Sequence, residues 1–136
     1  MKTVRDRLYI EESKKGKYEY LKKEDIFRDK SNKELFLLAM VMGFKNNLRK
    51  ELKRKNGFVR TEYLNEDDIA LIDALGLEET DNAEFLLDQE KIFEIAEEFA
   101  NTGIDFLMDQ ICGSDFSSIE RRFEKLVIEA DNELND

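Results

Sequence analysis

Leu35–Phe44 reads LFLLAMVMGF, and every residue in it except Gly43 is apolar. A helix on a protein surface carries an apolar stripe, whereas a run that is apolar on all sides belongs to an element buried around most of its circumference. The run is too short to cross a bilayer, which takes about 20 residues. Just before it, Ser31-Asn32-Lys33-Glu34 places a hydroxyl three residues ahead of a carboxylate, the spacing of a capping box. These features predict a central core helix from Asn32 to about Met42, with Leu38 and Met42 one turn apart in the core. Gly43 reads either as a left-handed cap or as a glycine inside a longer helix, because Phe44, Leu48 and Leu52 keep the helical spacing.

On the N-terminal side, Val4, Leu8 and Ile10 alternate loosely and suggest a short edge strand or an extended arm. Lys14-Lys15-Gly16-Lys17 reads as a solvated turn, and Tyr18 to Phe27 as a short helix and a docking loop. On the C-terminal side, Asn56-Gly57 is a turn signal. Phe58–Tyr63 alternates and suits a strand that pairs with the N-terminal one. Asn65–Asp68 starts another helix, with Asn65 as cap and acids in its first turn, closing at Gly76 and Glu78-Glu79. Asp88 opens the clearest amphipathic pattern: Ile92, Ala96 and Phe99 lie inside, and Glu90, Glu94, Glu97 and Glu98 outside. Asn101-Thr102-Gly103 bends or caps that helix, and Gly113 stops the next. A last helix follows the capping box at Ser117–Glu120, with Ile119, Phe123, Leu126 and Ala130 at helical spacing.

A chain of 136 residues without proline or a clear linker suits one domain. The expectation is a mainly α, single compact domain (1–136) of five to seven helices, with a short two-stranded β-ribbon from residues near 4–10 and 58–63. Its parts are an N-terminal arm and short helix (1–30), the core helix with a basic extension (31–55) and an acidic helical part (65–134). The single cysteine, Cys112, cannot form an internal disulfide; it reads as a small buried apolar residue and fits a reducing compartment. The N-terminus lacks the apolar core of a signal peptide, and no stretch is long and apolar enough for a membrane span. A cytoplasmic protein with no membrane partner is expected.

Charge is unevenly distributed. Met1–Arg60 holds 18 Lys and Arg against 9 Asp and Glu, whereas Thr61–Asp136 holds 4 against 23, for a net charge of −10. Either the halves neutralise each other within one fold, or one face meets a partner of opposite charge.

Three stretches, ELFLLAMVMGFKNNLRKEL (Glu34–Leu52), DIALIDALGLEETDNAEFLLDQE (Asp68–Glu90) and IFEIAEEFANTGIDFL (Ile92–Leu107), resemble in order and spacing a family of small proteins found beside DNA phosphorothioation systems, the Dnd-system-associated proteins. Such systems exchange a backbone oxygen of DNA for sulfur and support restriction of unmodified DNA. Phe99 stands where the family pattern has tyrosine, and Thr102 where it has glycine. The resemblance implies an accessory place in antiviral defence of the restriction-modification kind, without implying a catalytic role.

The residues themselves argue against most catalysis. There is no histidine, the commonest general base and metal ligand, and no phosphate-cradling glycine loop. No cofactor and no metal are expected. Glu66, Asp67 and Asp68, and Glu78, Glu79 and Asp81, leave open a metal-dependent hydrolase built on acidic clusters. Glu51-Leu52-Lys53 echoes a nuclease signature but reads as helix and basic face. The acidic half alone suggests a mimic of DNA. The strongest candidate surface is the basic one: Lys45, Arg49, Lys50, Lys53, Arg54, Lys55 and Arg60. Its cations suit either a protein component of a DNA-modification system, as in a non-catalytic adaptor, or the phosphates of DNA. The protein's net negative charge opposes DNA binding by the lone chain, which leaves contact that is weak or made within a complex.

Overall fold

The computed structural model describes residues 5–112, with Cys112 given by its backbone alone. Two strands and four α-helices follow one another: β1 (Arg7–Glu11), α1 (Lys15–Lys23), α2 (Asn32–Lys45), β2 (Lys55–Arg60), α3 (Glu66–Thr80) and α4 (Gln89–Cys112). Single 3-10 turns lie at Glu12–Lys14, Asp25–Phe27, Thr61–Tyr63 and Ala83–Leu87. The architecture is mainly α with one antiparallel two-stranded ribbon. The stop at Gly113, the last helix from Ser117 and the packing of Cys112 lie outside the described residues.

The start signals act as their spacing predicts. Ser31 Oγ accepts the Glu34 N–H at 3.2 Å, and Glu34 reaches back to the Ser31 N–H, closing the capping box of α2. Asn65 and Asp68 do the same for α3, both bonds at 2.9 Å. At the head of α4, Asp88 accepts the Lys91 N–H at 3.2 Å. Each box satisfies donors that a helix start would otherwise leave open.

The apolar run is the centre of the fold. Along α2, Leu35, Phe36, Ala39, Met40, Val41, Met42 and Gly43 are buried. Leu38, expected in the core beside Met42, is only half-buried, because one flank of α2 stays partly open. Against α2 lies α4, whose Ile92, Phe93, Ala96, Phe99, Ala100, Ile104 and Leu107 complete the same cluster. The two backbones touch through glycine. A Cβ on Gly103 would sit 1.6 Å from the Ala39 carbonyl oxygen, and one on Gly43 would sit 2.0 Å from that of Phe99. Neither glycine has a positive φ, so space rather than conformation requires them. Phe44 meets Phe99 edge to face at 5.6 Å beside this contact.

Several boundaries differ from expectation. Asn101-Thr102-Gly103 does not cap α4, which runs unbroken through it, so two expected helices are one. Gly76 likewise lies inside α3, facing Ile92. Gly43 does not end α2. The helix closes after Lys45 in a Schellman arrangement in which Asn47 is left-handed (φ 53°), its N–H reaches the Phe44 carbonyl at 2.9 Å, and the Leu48 N–H reaches that of Gly43 at 3.2 Å. The basic extension is therefore no helix. Residues 46–54 form an irregular loop, with Leu48 52% exposed and Leu52 buried.

Asn56-Gly57 is not a turn but part of β2. The ribbon pairs Arg7 with Arg60 and Glu11 with Lys55, and the register shifts between Leu8 and Tyr9. Phe58 is the extra residue at this bulge, and its ring lies 4.5 Å from that of Tyr18 on α1. Lys14–Lys17 is no solvated turn, since it leads into α1.

Gly103→Ala and Gly43→Ala should each lower stability in urea titrations by about 1–3 kcal/mol or more, since overpacking forces the two helices apart. At Gly16, near the start of α1, nothing lies within 4 Å of an added Cβ. Gly16→Ala should therefore leave stability unchanged or raise it by up to about 1 kcal/mol.

Candidate functional site

The seven cations singled out from sequence divide into four groups. Lys45 is half-buried in the last turn of α2. Arg49 is committed internally, with Nε 2.6 Å from Glu79 of α3 and NH1 2.6 Å from Glu98 of α4. Its guanidinium is held above its usual range, because these carboxylates outweigh the opposing effect of burial. Arg60 lies at the far end of β2, paired at 2.7 Å with Glu62 on the surface. There it borders a groove of about 620 Å³ together with Lys22 and Lys33. The structure brings Lys50, Lys53, Arg54 and Lys55 together on the loop and the first residue of β2, all exposed. The ammonium groups of Lys50, Lys53 and Lys55 make no ion pair among the described residues, and Arg54 only grazes Glu12 at 3.6 Å.

This loop is held by its main chain. The Leu48 carbonyl accepts Thr102 Oγ1 at 2.5 Å, the Lys50 N–H donates to the Glu98 carbonyl at 3.2 Å, and the Lys50 carbonyl accepts Asn101 Nδ2 at 3.0 Å. The Lys53 and Arg54 N–H groups donate to the two oxygens of Glu11 at 2.7 and 2.9 Å. The Glu12 N–H returns a bond to the Arg54 carbonyl at 2.8 Å. These backbone donors, led by that of Lys53, hold the Glu11 carboxyl below its ordinary range. Leu52 inserts beneath as the apolar anchor. The loop thus has a fixed course while Lys50, Lys53 and Arg54 stay exposed on it.

The polar residues of α4 beside the loop were not read as site residues from sequence. They form a ridge on α4 at i, i+4 spacing: Glu97, Asn101 and Asp105. Glu97, assigned to the outer face, is 2% exposed and meets the 7% exposed Arg5 at 2.9 Å and the Tyr9 N–H at 2.5 Å. Arg5 also reaches Glu90 at 3.3 Å, and its guanidinium carbon lies 5.1 Å from the ring centre of Tyr9 and 5.9 Å from that of Phe93. Burial raises the Glu97 carboxyl above its usual range, against the pull of the Tyr9 N–H and Arg5. Asn101, read as a helix-end device, clamps Lys50. Asp105 accepts Lys14 at 2.9 Å and also Lys17; burial opposes its ionisation, but these two ammonium groups prevail and hold its carboxyl low. The available signal was positional: each ridge residue falls one turn beyond Phe93 or its successor, on the border of the apolar stripe.

The acidic clusters are dispersed. Glu66, Asp67 and Asp68 occupy the first turn of α3, with Asp68 capping the helix and paired to Lys33 at 2.9 Å. Glu79 holds Arg49, and Asp81 is the left-handed end of α3. Among the described residues no group of acids, cysteine or histidine is arranged to hold a metal ion. No helix among them is long and apolar enough to cross a membrane.

A family model described as DNA sulphur modification system-associated protein 4 matches residues 14–135. The chain belongs to this family. The match contains all three stretches that carry the sequence resemblance, as well as the basic loop and the whole of α4. No curated protein and no solved structure matches the chain. For a member of this family, association with a DNA sulphur modification system is the functional frame into which the basic loop has to fit.

Removing one member of a buried ion pair leaves the other uncompensated and costs about 3–5 kcal/mol. Glu97→Ala should lower the unfolding free energy by that order in denaturant titrations. Asp105 acts with the opposite sign to Glu97 in pH dependence. Its folded pKa is lowered, so its contribution is present above the unfolded value of about 3.9 and is lost as pH falls through the folded one. Asp105→Asn should therefore flatten the loss of stability below about pH 4, measured by thermal melts across an acid series.

Proposed function

We propose that this protein is a non-catalytic accessory of a cytoplasmic DNA sulphur modification system, an adaptor that docks on a protein component of that system through the basic loop. The observation that carries this reading is the contrast within the loop. Its main chain is fixed at Leu48, Lys50, Lys53 and Arg54, while the side chains of Lys50, Lys53, Arg54 and Lys55 are left to solvent. A surface already ordered before binding loses less entropy on docking. Charge complementarity then sets partner choice and encounter rate. A function in defence against foreign DNA is part of this reading, supported by the family's association with a DNA sulphur modification system. DNA is contacted only in the assembled complex, because a chain of net charge −10 repels a polyanion at long range. No metal-dependent hydrolysis is part of this reading.

Changing Lys50, Lys53, Arg54 and Lys55 to Gln should abolish co-purification with a co-expressed protein of the same modification system and leave the melting temperature nearly unchanged. Arg49 is kept, because it ties α3 to α4. Undiminished co-purification of the fourfold variant would refute the adaptor reading. Tight, salt-dependent duplex binding by the isolated wild-type chain would favour direct DNA recognition instead.

A further inference from the structure

Behind the basic loop, between it and α4, lies a pocket of about 190 Å³ bordered by Lys14, Lys50, Lys53 and Asn101, with Glu11 and Glu51 on its other sides. Asn101 is 5% exposed. Its orientation is set by Nδ2, which donates to the Lys50 carbonyl; flipped, the amide would place oxygen against oxygen. Asn101 Oδ1 is then a buried acceptor without a partner. Such a group costs about 1–3 kcal/mol until a donor reaches it. Lys50 and Lys53 border the same pocket, and their ammonium groups make no ion pair among the described residues, whereas Lys14 is tied to Asp105 and to the Asn101 carbonyl.

An occupant that answers all of these groups must bring acceptors and a donor together. The backbone of duplex DNA cannot, since its phosphate and sugar oxygens only accept. An acidic polypeptide can: each Asp or Glu carries a carboxylate beside its own main-chain N–H. Glu11 stays anionic at the edge of the pocket, with both oxygens taken by N–H groups of the loop, so the attraction for such a carboxylate comes from Lys50 and Lys53. We propose that this pocket is the anchor point of the docking face and receives an acidic residue from a protein segment, with the carboxylate on Lys50 and Lys53 and the main-chain N–H on Asn101 Oδ1. The proposal rests on the adaptor reading and names the chemistry of its partner.

The test uses the full chain, a fluorescein-labelled peptide of alternating Glu and Ser, and a DNA duplex of matched net charge. Peptide binding followed by anisotropy should weaken about tenfold in Lys50→Gln and in Lys53→Gln, equivalent to about 1.4 kcal/mol. It should weaken less than about twofold in Lys55→Gln, which lies outside the pocket. The side-chain amide resonances of Asn101 should move with the peptide and stay in place with the duplex. Equal losses at all three lysines, an unmoved Asn101, no peptide binding, or a duplex that shifts Asn101 would each overturn the anchor. If the fourfold Gln variant still loses its partner, the adaptor reading survives that failure. If it retains the partner, the reading falls with the anchor.

Discussion

The fold depends on two helix backbones brought into direct contact. Where α2 crosses α4, Gly43 and Gly103 leave no room for a methyl group against the facing carbonyls of Phe99 and Ala39. The close approach allows Leu35, Phe36 and Met40 on one helix to share a core with Ile92, Phe99 and Ile104 on the other. The remaining elements are arranged around this pair. The ribbon places Leu8, Ile10 and Val59 into the same cluster, α1 adds Tyr18 and Leu21, and α3 adds Ile72 and Leu75.

The same crossing determines where the basic loop can run. α2 ends at Lys45, just past Gly43, so the chain emerges beside the turn of α4 that carries Phe99, Asn101 and Thr102. Its carbonyls then find Thr102 Oγ1 and Asn101 Nδ2 within reach, and its next N–H finds the Glu98 carbonyl. Thr102 belongs to both interactions: its Oγ1 also lies 3.1 Å from the Phe99 carbonyl, next to Gly43. A residue on the helix contact is thus also a fastening of the loop, which couples the position of the site to the integrity of the core.

The buried run, its capping box and the ribbon were legible in the sequence because each rests on local spacing. The interruptions were misread because glycine has two uses. At Gly43, Gly76 and Gly103 it makes space for a neighbouring element, and nothing within a few residues distinguishes that from a helix stop. Asn47, by contrast, ends α2 through a left-handed conformation that asparagine tolerates, so the true stop lay in Asn46-Asn47. Of the candidate site, the composition was legible and the geometry was not. Lys50, Lys53, Arg54 and Lys55 do share a surface, but as a pinned loop rather than a helical face. Arg49 could not be separated from them without knowing that Glu79 and Glu98 converge on it. Glu97 looked like surface because acids usually are, and only its long-range partners Arg5 and Tyr9 make its burial tolerable.

Charge in this protein acts on two length scales. Arg5, Lys14, Lys17, Lys33 and Arg49 from the basic half answer Glu97, Asp105, Asp68, Glu79 and Glu98 from the acidic half. That internal pairing takes up charges of both signs, and the excess of acids over bases in the sequence sets the sign of the exterior field. A polyanion approaching from a distance meets that field first. Screening limits it to about 8 Å at physiological salt, so a segment already delivered to the surface responds to the nearest groups instead. Around the loop those groups are Lys50, Lys53, Arg54 and Lys55. An acidic molecule with a small, rigid basic patch therefore discriminates by contact: it gains little from the charge of a partner as a whole and much from carboxylates placed to match the patch.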